Sequence, residues 1–290
     1  MISLSYYPGC SLTSSSAFYD RSLRKVLTFY GVRLRELEDW SCCGAAAAPA
    51  MNEDLADVLS ARNIAIAERS GLHLLAPCSA CYARTKAGAL KIAGHRRMRE
   101  LVNETLAPMS VSGSVEVKNI IEAFLEYVGV ERIAASAAYD IGSIRAVPYY
   151  GCLLTRIMDV PSSDDVEDPS GMDVLLNALG AAVLPWQFKT ECCGAGSTVT
   201  DSDRTAQLSG RIMTMAQKAG ANVIVTTCPL CQLNLDLTVH LRRDLADIPV
   251  FFLTEIFELA LFGCAAGSKH HLISTADIEG SVEILGGDSA

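Results

Sequence analysis

The stretches GLHLLAPCSAC, residues 71–81, and GANVIVTTCPLC, residues 220–231, share one construction: a glycine, a short apolar run and a Cys-x-x-Cys pair. An apolar run of strand length, bounded by a glycine, leads almost straight into the cysteines in both. Cys78 and Cys81 are matched by Cys228 and Cys231, each 150 positions later. Working outward, Cys42 and Cys43 are matched at the same offset by Cys192 and Cys193, and Cys10 by Cys152 at an offset of 142. Each copy therefore reads C-x(n)-CC-x34-CxxC, with n equal to 31 in the first and 39 in the second. The surrounding words agree as well: SYYPGC answers PYYGC, SCCGA answers ECCGA, and PCSAC answers TCPLC. Such a repeat marks a tandem duplication. Its halves, 1–145 and 146–290, are expected to meet near the Ala-rich stretch 133–146. Only Cys264 stands outside the pattern, and a buried helical cysteine is expected there.

The residues between the cysteines alternate strand and helix. Ile2 to Tyr7 reads as a strand ending in a Pro8-Gly9 loop. A helix is expected to start among Thr13 to Ser16, with the stripe Tyr19, Leu23, Val26, Leu27 and Tyr30 on one face and Gly31 as its stop. A strand from Val32 to Leu37, a helix from Glu53 to Ser70 and a strand from Leu72 to Ala76 complete the first copy. The second repeats the plan with strand Ala146–Tyr150, a helix ending at Gly180, strand Ala182–Leu184, helix Asp203–Ala219 and strand Asn222–Thr227. The order β-Cys-α-β-CysCys-α-β-CxxC-α predicts an α/β fold of two tandemly duplicated Rossmann-like domains with parallel sheets. Ligands of open parallel sheets bind beyond the carboxyl ends of the strands. Every cysteine group follows a strand, so five thiols should converge on that edge in each half. Helix N-termini are expected after the Cys10 and Cys81 segments, where their partial positive charge favours thiolates. The glycine after each Cys-Cys pair (Gly44 and Gly194) is expected to let backbone approach a bulky inorganic group. No catalytic grouping of serine, histidine and carboxylate is visible.

Composition narrows the function classes. Half of the 290 residues are hydrophobic and 20% are charged, a globular balance with length enough for a large core. A net charge of −9 and a pI near 5.1 argue against binding nucleic acid or an anionic membrane. Eleven cysteines, an odd number, fall well below the ~8–10% of a disulfide scaffold. The opening MISLSYYPGC does not read as a secretory signal. Val250 to Phe262, the most apolar stretch, carries Glu255 and Glu258 and is too short for a bilayer; it is expected to be a core helix, with partner contact as the alternative. A reducing, cytoplasmic setting follows, in which unpaired thiols bind metal or do chemistry. The extra residues of the second copy fall in MDVPSSDDVEDPSG, residues 158–171, whose Asp159, Asp164, Asp165, Glu167 and Asp168 predict an exposed loop. The polar tail beyond Gly263 is expected to expose His270 and His271.

Four thiolates suffice for a structural zinc or for a standard iron–sulfur cluster, yet five recur in both copies. The ferredoxin run C-x2-C-x2-C-x3-C-P is absent. Five cysteines with a vicinal pair favour an unusual iron–sulfur cluster. Zinc, a thiol redox pair and buried inert thiols stay open as alternatives.

With these motifs the chain resembles the cysteine-rich CCG domain family, and over both halves it is similar to the B subunits of heterodisulfide reductases. The stretches DDVEDPSGMDVLLNALGA and KTECCGAG carry the likeness beyond the cysteines. The resemblance implies two non-cubane 4Fe-4S clusters, one held by Cys10, Cys42, Cys43, Cys78 and Cys81 and the other by Cys152, Cys192, Cys193, Cys228 and Cys231. It implies an oxidoreductase, the catalytic subunit that reductively cleaves a small disulfide or runs the reverse oxidation of a thiol or sulfur carrier. It also implies iron–sulfur and flavin partner subunits, since this chain shows no flavin, nucleotide or ferredoxin fingerprint of its own. Arg156 and Lys189, each within four residues of a motif cysteine, are expected to hold anionic substrate groups or offset cluster charge, against the alternative of ordinary salt bridges. Two other classes compete: an electron-transfer subunit of a CCG-containing dehydrogenase complex, and a zinc-stabilised interaction protein.

Overall fold

A computed structural model of the chain describes residues 2–45, 47–156, 164–242 and 244–285. The first half runs β1 (Ile2–Tyr6), α1 (Gly9–Leu12), α2 (Ala17–Phe29), β2 (Val32–Glu36), α3 (Ala47–Met51), α4 (Glu53–Ser70), β3 (Leu74–Leu75), α5 (Ser79–Gly94), α6 (Arg96–Leu106), β4 (Val117–Lys118) and α7 (Ile120–Ala123). A π-helical turn over Phe124–Val128, then α8 (Val130–Ser136) and β5 (Tyr139–Asp140), lead out of it. The second half runs β6 (Arg145–Tyr149), α9 (Cys152–Thr155), α10 (Gly171–Ala178), β7 (Ala182–Val183), α11 (Ser202–Lys218), β8 (Val223–Thr226), α12 (Pro229–Leu241), β9 (Val250–Phe252) and α13 (Leu253–Phe262). It closes with α14 (Ala276–Glu279) and β10 (Glu283–Ile284).

Local chemistry explains the helix limits. The Asn52 side chain accepts the Leu55 N–H at 3.0 Å to open α4, and Gly71, with φ of +65°, ends it in the left-handed region. Asp201 caps α11 in the same way through the Arg204 N–H. On α2 the predicted stripe is the buried face: Tyr19, Leu23, Val26 and Leu27 are wholly inside. All four residues of β8 are buried, as in a parallel sheet covered by helices on both sides.

The duplication is repeated in topology. The first sheet has the order β2-β1-β3-β4 and the second β7-β6-β8-β9, with every neighbour parallel. In each, the chain steps outward from the first strand and then returns to its other side. This creates a switch point between β1 and β3, and between β6 and β8, where ligands of such sheets bind. The single cysteine and the CxxC pair follow those strands.

The halves share an apolar core rather than standing apart. Phe257 of α13 stacks on Phe124 at 4.1 Å and meets the edge of Tyr30, while Phe252 stacks on Tyr19 at 4.0 Å. Helix α13 thus seats on α2, and β10 pairs antiparallel with β5. The two acids in the most apolar stretch act as tethers. Glu258 pairs with Lys25 of α2 at 3.1 Å, and Glu255 accepts the Phe252 N–H and pairs with His271 at 3.0 Å.

The structure corrects several expectations drawn from the sequence. The loop expected after β1 contains one helical turn, α1. Val250–Phe252 is a strand, because three apolar residues pair with β8 before the helix begins; the helix behind it is core. Cys264 is exposed and lies just past Gly263, which ends α13 at φ +73°. His271 is not an exposed tail residue: its side chain is buried against Glu255, whereas His270 is exposed. In the acidic loop Asp159 lies outside the described residues. Asp165, Glu167 and Asp168 are exposed, but Pro169 is buried and Asp164 turns inward to accept the Ser170 and Gly171 N–H groups.

Candidate metal centres

All ten motif cysteines lie at the carboxyl edges of the two sheets. Cys10 sits in the single turn α1, one step beyond β1, and Cys152 begins the equivalent turn α9. Cys78 and Cys228 are the residues on which α5 and α12 start, so Cys81 and Cys231 fall inside the first helical turn rather than ahead of it. There the helix N–H groups point toward negative charge. The Cys-Cys loops are held by side chains from outside. Buried Asn63 receives the Ser41 N–H and returns an N–H to the Ser41 carbonyl. In the second half Ser209 and Asn234 donate to the Cys193 carbonyl at 2.9 and 3.5 Å.

The sulfurs come as close pairs: Cys10 and Cys42 at 4.0 Å, Cys43 and Cys81 at 3.6 Å, and Cys193 and Cys231 at 3.6 Å. All eleven cysteines are free thiols. Cys43, Cys78, Cys81, Cys193, Cys228 and Cys231 form buried floors, while Cys10, Cys42 and Cys192 lie at exposed rims and Cys152 is half-buried. Crowding splits the acidities. Cys43 is lowered to about 6, chiefly by the Cys81 thiol bonding to its thiolate, with the Ala45 N–H and Tyr7 helping against burial. Cys192 is likewise lowered to about 6 by Cys152, against burial, with further help from the Gly194 N–H and the Arg204 charge. Their neighbours move the other way: Cys81 and Cys231 are pushed up by the thiolates they bond to, and Cys152 by Cys192. Five such thiols cannot all ionise unaided, because each new negative charge raises the next. A cationic group would resolve this, and thiolates are by their chemistry donors for iron–sulfur or zinc centres. Among the described residues, no group of three or more His, Cys, Asp or Glu side chains is arranged around a single ion.

Glycines shape the cradle, and two of them stand outside the Cys-Cys words. A Cβ on Gly9 would stand 2.6 Å from the Cys81 sulfur, and one on Gly151 would stand 3.1 Å from the Cys231 sulfur. The glycines after the Cys-Cys pairs are closely packed as well. A Cβ on Gly44 would meet Ala48 at 2.3 Å, and one on Gly194 would meet the Thr205 backbone at 2.9 Å. Their N–H groups reach the Cys42 and Cys192 sulfurs at 3.5 and 3.3 Å.

Sequence reasoning missed a pair of tyrosines. Tyr7 donates to the Ser41 carbonyl at 2.8 Å, and Tyr149 to the Glu191 carbonyl at 2.6 Å, each just before a Cys-Cys pair. Each ring also meets the edge of a tryptophan, Trp40 or Trp186, the only two in the chain. The repeated YY of the two opening words was the available signal. As for the basic residues, the Lys189 amine is buried on Asp168, Asp173 and the Pro169 carbonyl, and Arg156 pairs with Glu167 at 2.7 Å. The Lys189 carbonyl receives the Tyr150 and Gly151 N–H groups, so its backbone secures the turn that presents Cys152.

The two sites are cross-braced. Helix α5, which bears Cys81, packs on α9, and helix α12, which bears Cys231, packs on α1. A cavity of about 440 Å³ opens beside this contact, lined by Tyr82, Asn119, Tyr150, Leu154 and Thr155 among others.

Two parallel α/β halves, each carrying the same cysteine motif at the carboxyl edge of its sheet, define a duplicated cysteine-rich protein. The cysteine-rich CCG domain model matches residues 4–85 and 147–236, and the chain belongs to that family. It is 28% identical, over 94% of its length and 98% of the relative's, to the 8-methylmenaquinol:fumarate reductase membrane anchor subunit of Wolinella succinogenes. It is 25% identical, over 90% of its length and 91% of the relative's, to an Archaeoglobus profundus protein that is itself like the B subunit of heterodisulfide reductase. It is 27% identical, over 90% of both chains, to the B subunit of the ferredoxin/F420H2-dependent CoB-CoM heterodisulfide reductase of Methanosarcina acetivorans. In fold it is similar to a hypothetical protein from Helicobacter pylori, with a TM-score of 0.76 at 12% identity, covering 94% of this chain and about half (52%) of that one. Among the described residues no helix is long and apolar enough to cross a membrane.

Proposed function

We propose that each cysteine quintet carries one non-cubane 4Fe-4S cluster, and that the chain is the disulfide-handling subunit of a heterodisulfide-reductase-like complex in a reducing cytoplasm. It reductively cleaves a small disulfide, or in reverse oxidises a thiol or sulfur carrier. The observation that carries this reading is the cross-bracing of two equivalent thiol cradles, α5 on α9 and α1 on α12. Two facing sites match a substrate with two sulfur atoms, and each bound cluster would pass electrons singly. The chain's own residues do the remaining work. The buried cysteines keep each floor dry, and Tyr7 and Tyr149 fix the Cys-Cys loops. The exposed Cys10, Cys42 and Cys192 mark where a small molecule reaches the rim. We assign substrate entry to the cavity beside Tyr82, the chain neighbour of Cys81, and Leu154, two residues beyond Cys152. Arg156, exposed and paired with Glu167, is the basic group near Cys152 that would exchange that partner for an anionic substrate. Electrons come from partner subunits bearing iron–sulfur and flavin groups.

The test is iron and acid-labile sulfide analysis of anaerobically purified protein, followed by EPR after thiol is added under oxidising conditions. Iron at both sites with a thiol-dependent signal is expected, whereas colourless, zinc-loaded protein refutes the reading. The match over 94% of the chain to a subunit named for a menaquinol:fumarate reductase, not for a disulfide reductase, favours a second reading, an electron-transfer subunit. In that case the clusters titrate reversibly but thiol evokes no signal.

A further inference from the structure

Tyr19 stands where the two halves meet. Its ring stacks on Phe252 with centroids 4.0 Å apart and planes 4° from parallel. Phe252 ends β9 and pairs in register with Thr226, whose hydroxyl accepts the Cys228 N–H at 3.3 Å. On its other side, Tyr19 lies in the first turns of α2, directly after the turn that carries Cys10. The residue is wholly buried, yet its hydroxyl has no hydrogen-bond partner among the described residues. Burial, then the charges of Cys78, Cys228 and Glu255, push the phenol well above its ordinary range. Ser79 and Thr227, the chain neighbours of Cys78 and Cys228, also bury hydroxyls without partners.

Native proteins satisfy nearly all buried polar atoms, and each exception needs a reason. Phenylalanine would keep the stacking on Phe252 without an unpaired hydroxyl. We propose that Tyr19, buried where the two halves meet, donates its unused hydrogen bond to a sulfur of the group held by one of the two quintets, and so tunes that group's reduction potential. This rests on the reading that the quintets hold iron–sulfur groups. A donated hydrogen bond favours the more negative, reduced form, and such bonds are one of the levers that set cluster potentials.

Tyr19→Phe in the full chain tests the idea, with Tyr19→Leu as a packing control. In metal-free protein Tyr19→Phe should unfold no earlier than wild type, because the hydroxyl it removes is unpaired, while Tyr19→Leu should unfold earlier. In iron-loaded protein an EPR-monitored redox titration should show at least one site harder to reduce in Tyr19→Phe. A tenfold change in its oxidised-to-reduced ratio at fixed potential, about 59 mV for one electron, is the expected scale. Unmoved potentials at both sites, or a metal-free Tyr19→Phe protein less stable than wild type, overturn the proposal. An iron-free wild type overturns the cluster reading and this inference with it, whereas iron-loaded protein with unmoved potentials overturns this inference alone.

Discussion

Replacing Gly9 by alanine places a methyl carbon 2.6 Å from the Cys81 sulfur, so that sulfur must retreat by roughly 0.8 Å to reach an ordinary contact of 3.4 Å. Metal sites tolerate departures of only about 0.2 Å from their ligand distances. The same substitution forces a Cβ onto a backbone with φ of +71°, which costs about 1–2 kcal/mol. Gly31→Ala separates the two effects. Its φ is +75° and nothing lies within 4 Å of the added carbon, so it pays the backbone cost alone. Both variants should lower the melting temperature by about 2–4 °C per kcal/mol lost. Only Gly9→Ala should also lose the N-terminal metal group, taking iron and sulfide content to about half of wild type. Gly151→Ala should be milder at the second site, because its methyl would stand 3.1 Å from the Cys231 sulfur and a shift of a few tenths of an ångström relieves it. Gly9→Ala protein with full iron content, and a melting shift equal to that of Gly31→Ala, would refute the cradle argument.

Lys189→Ala should destabilise the protein by roughly 1–3 kcal/mol, since it leaves the partly buried Asp173 without its cation; an unchanged denaturant midpoint would show the ion pairs to be ornamental. His271 gives a pH dependence. Burial pulls its pKa down, but the Glu255 carboxylate, with Asp236 and Glu279, outweighs burial and leaves it raised above 6.5. The stability it contributes is therefore complete below pH 6.5 and is lost as pH rises through the folded value. Thermal melts of wild type and His271→Gln should differ most at acid pH and converge in the alkaline range, and a gap independent of pH would count against the charged pair.

The duplication and the parallel α/β plan were legible because cysteines and strand-ending words recur at fixed spacing, and alternation of strand and helix admits few topologies. The fourth strand of each sheet was not. Val117–Lys118 is too short to show a period, and Val250–Phe252 runs into α13 without a turn residue between them. The buried tail was hidden for another reason. Glu255 and Glu258 stood out as acids in an apolar run, but no pattern links them to Lys25, far away in the other half, or to His271 in a polar tail. Glycine roles depend on what stands opposite in space, so Gly9 read only as a loop residue although its backbone lies against the Cys81 sulfur. The misplacement of Cys264 followed from composition, since a cysteine two residues beyond a helix reads like one inside it.

The cross-bracing of α1 with α12 and of α5 with α9 constrains where such a protein can have come from. A single-copy forebear would have had no second half to lean on, so the same contacts would have required a second copy of itself. Fusing the two genes made that association independent of concentration. It also freed the two faces to diverge, one keeping an open chamber near Tyr82 while the other drew its own C-terminal segment in against Glu255.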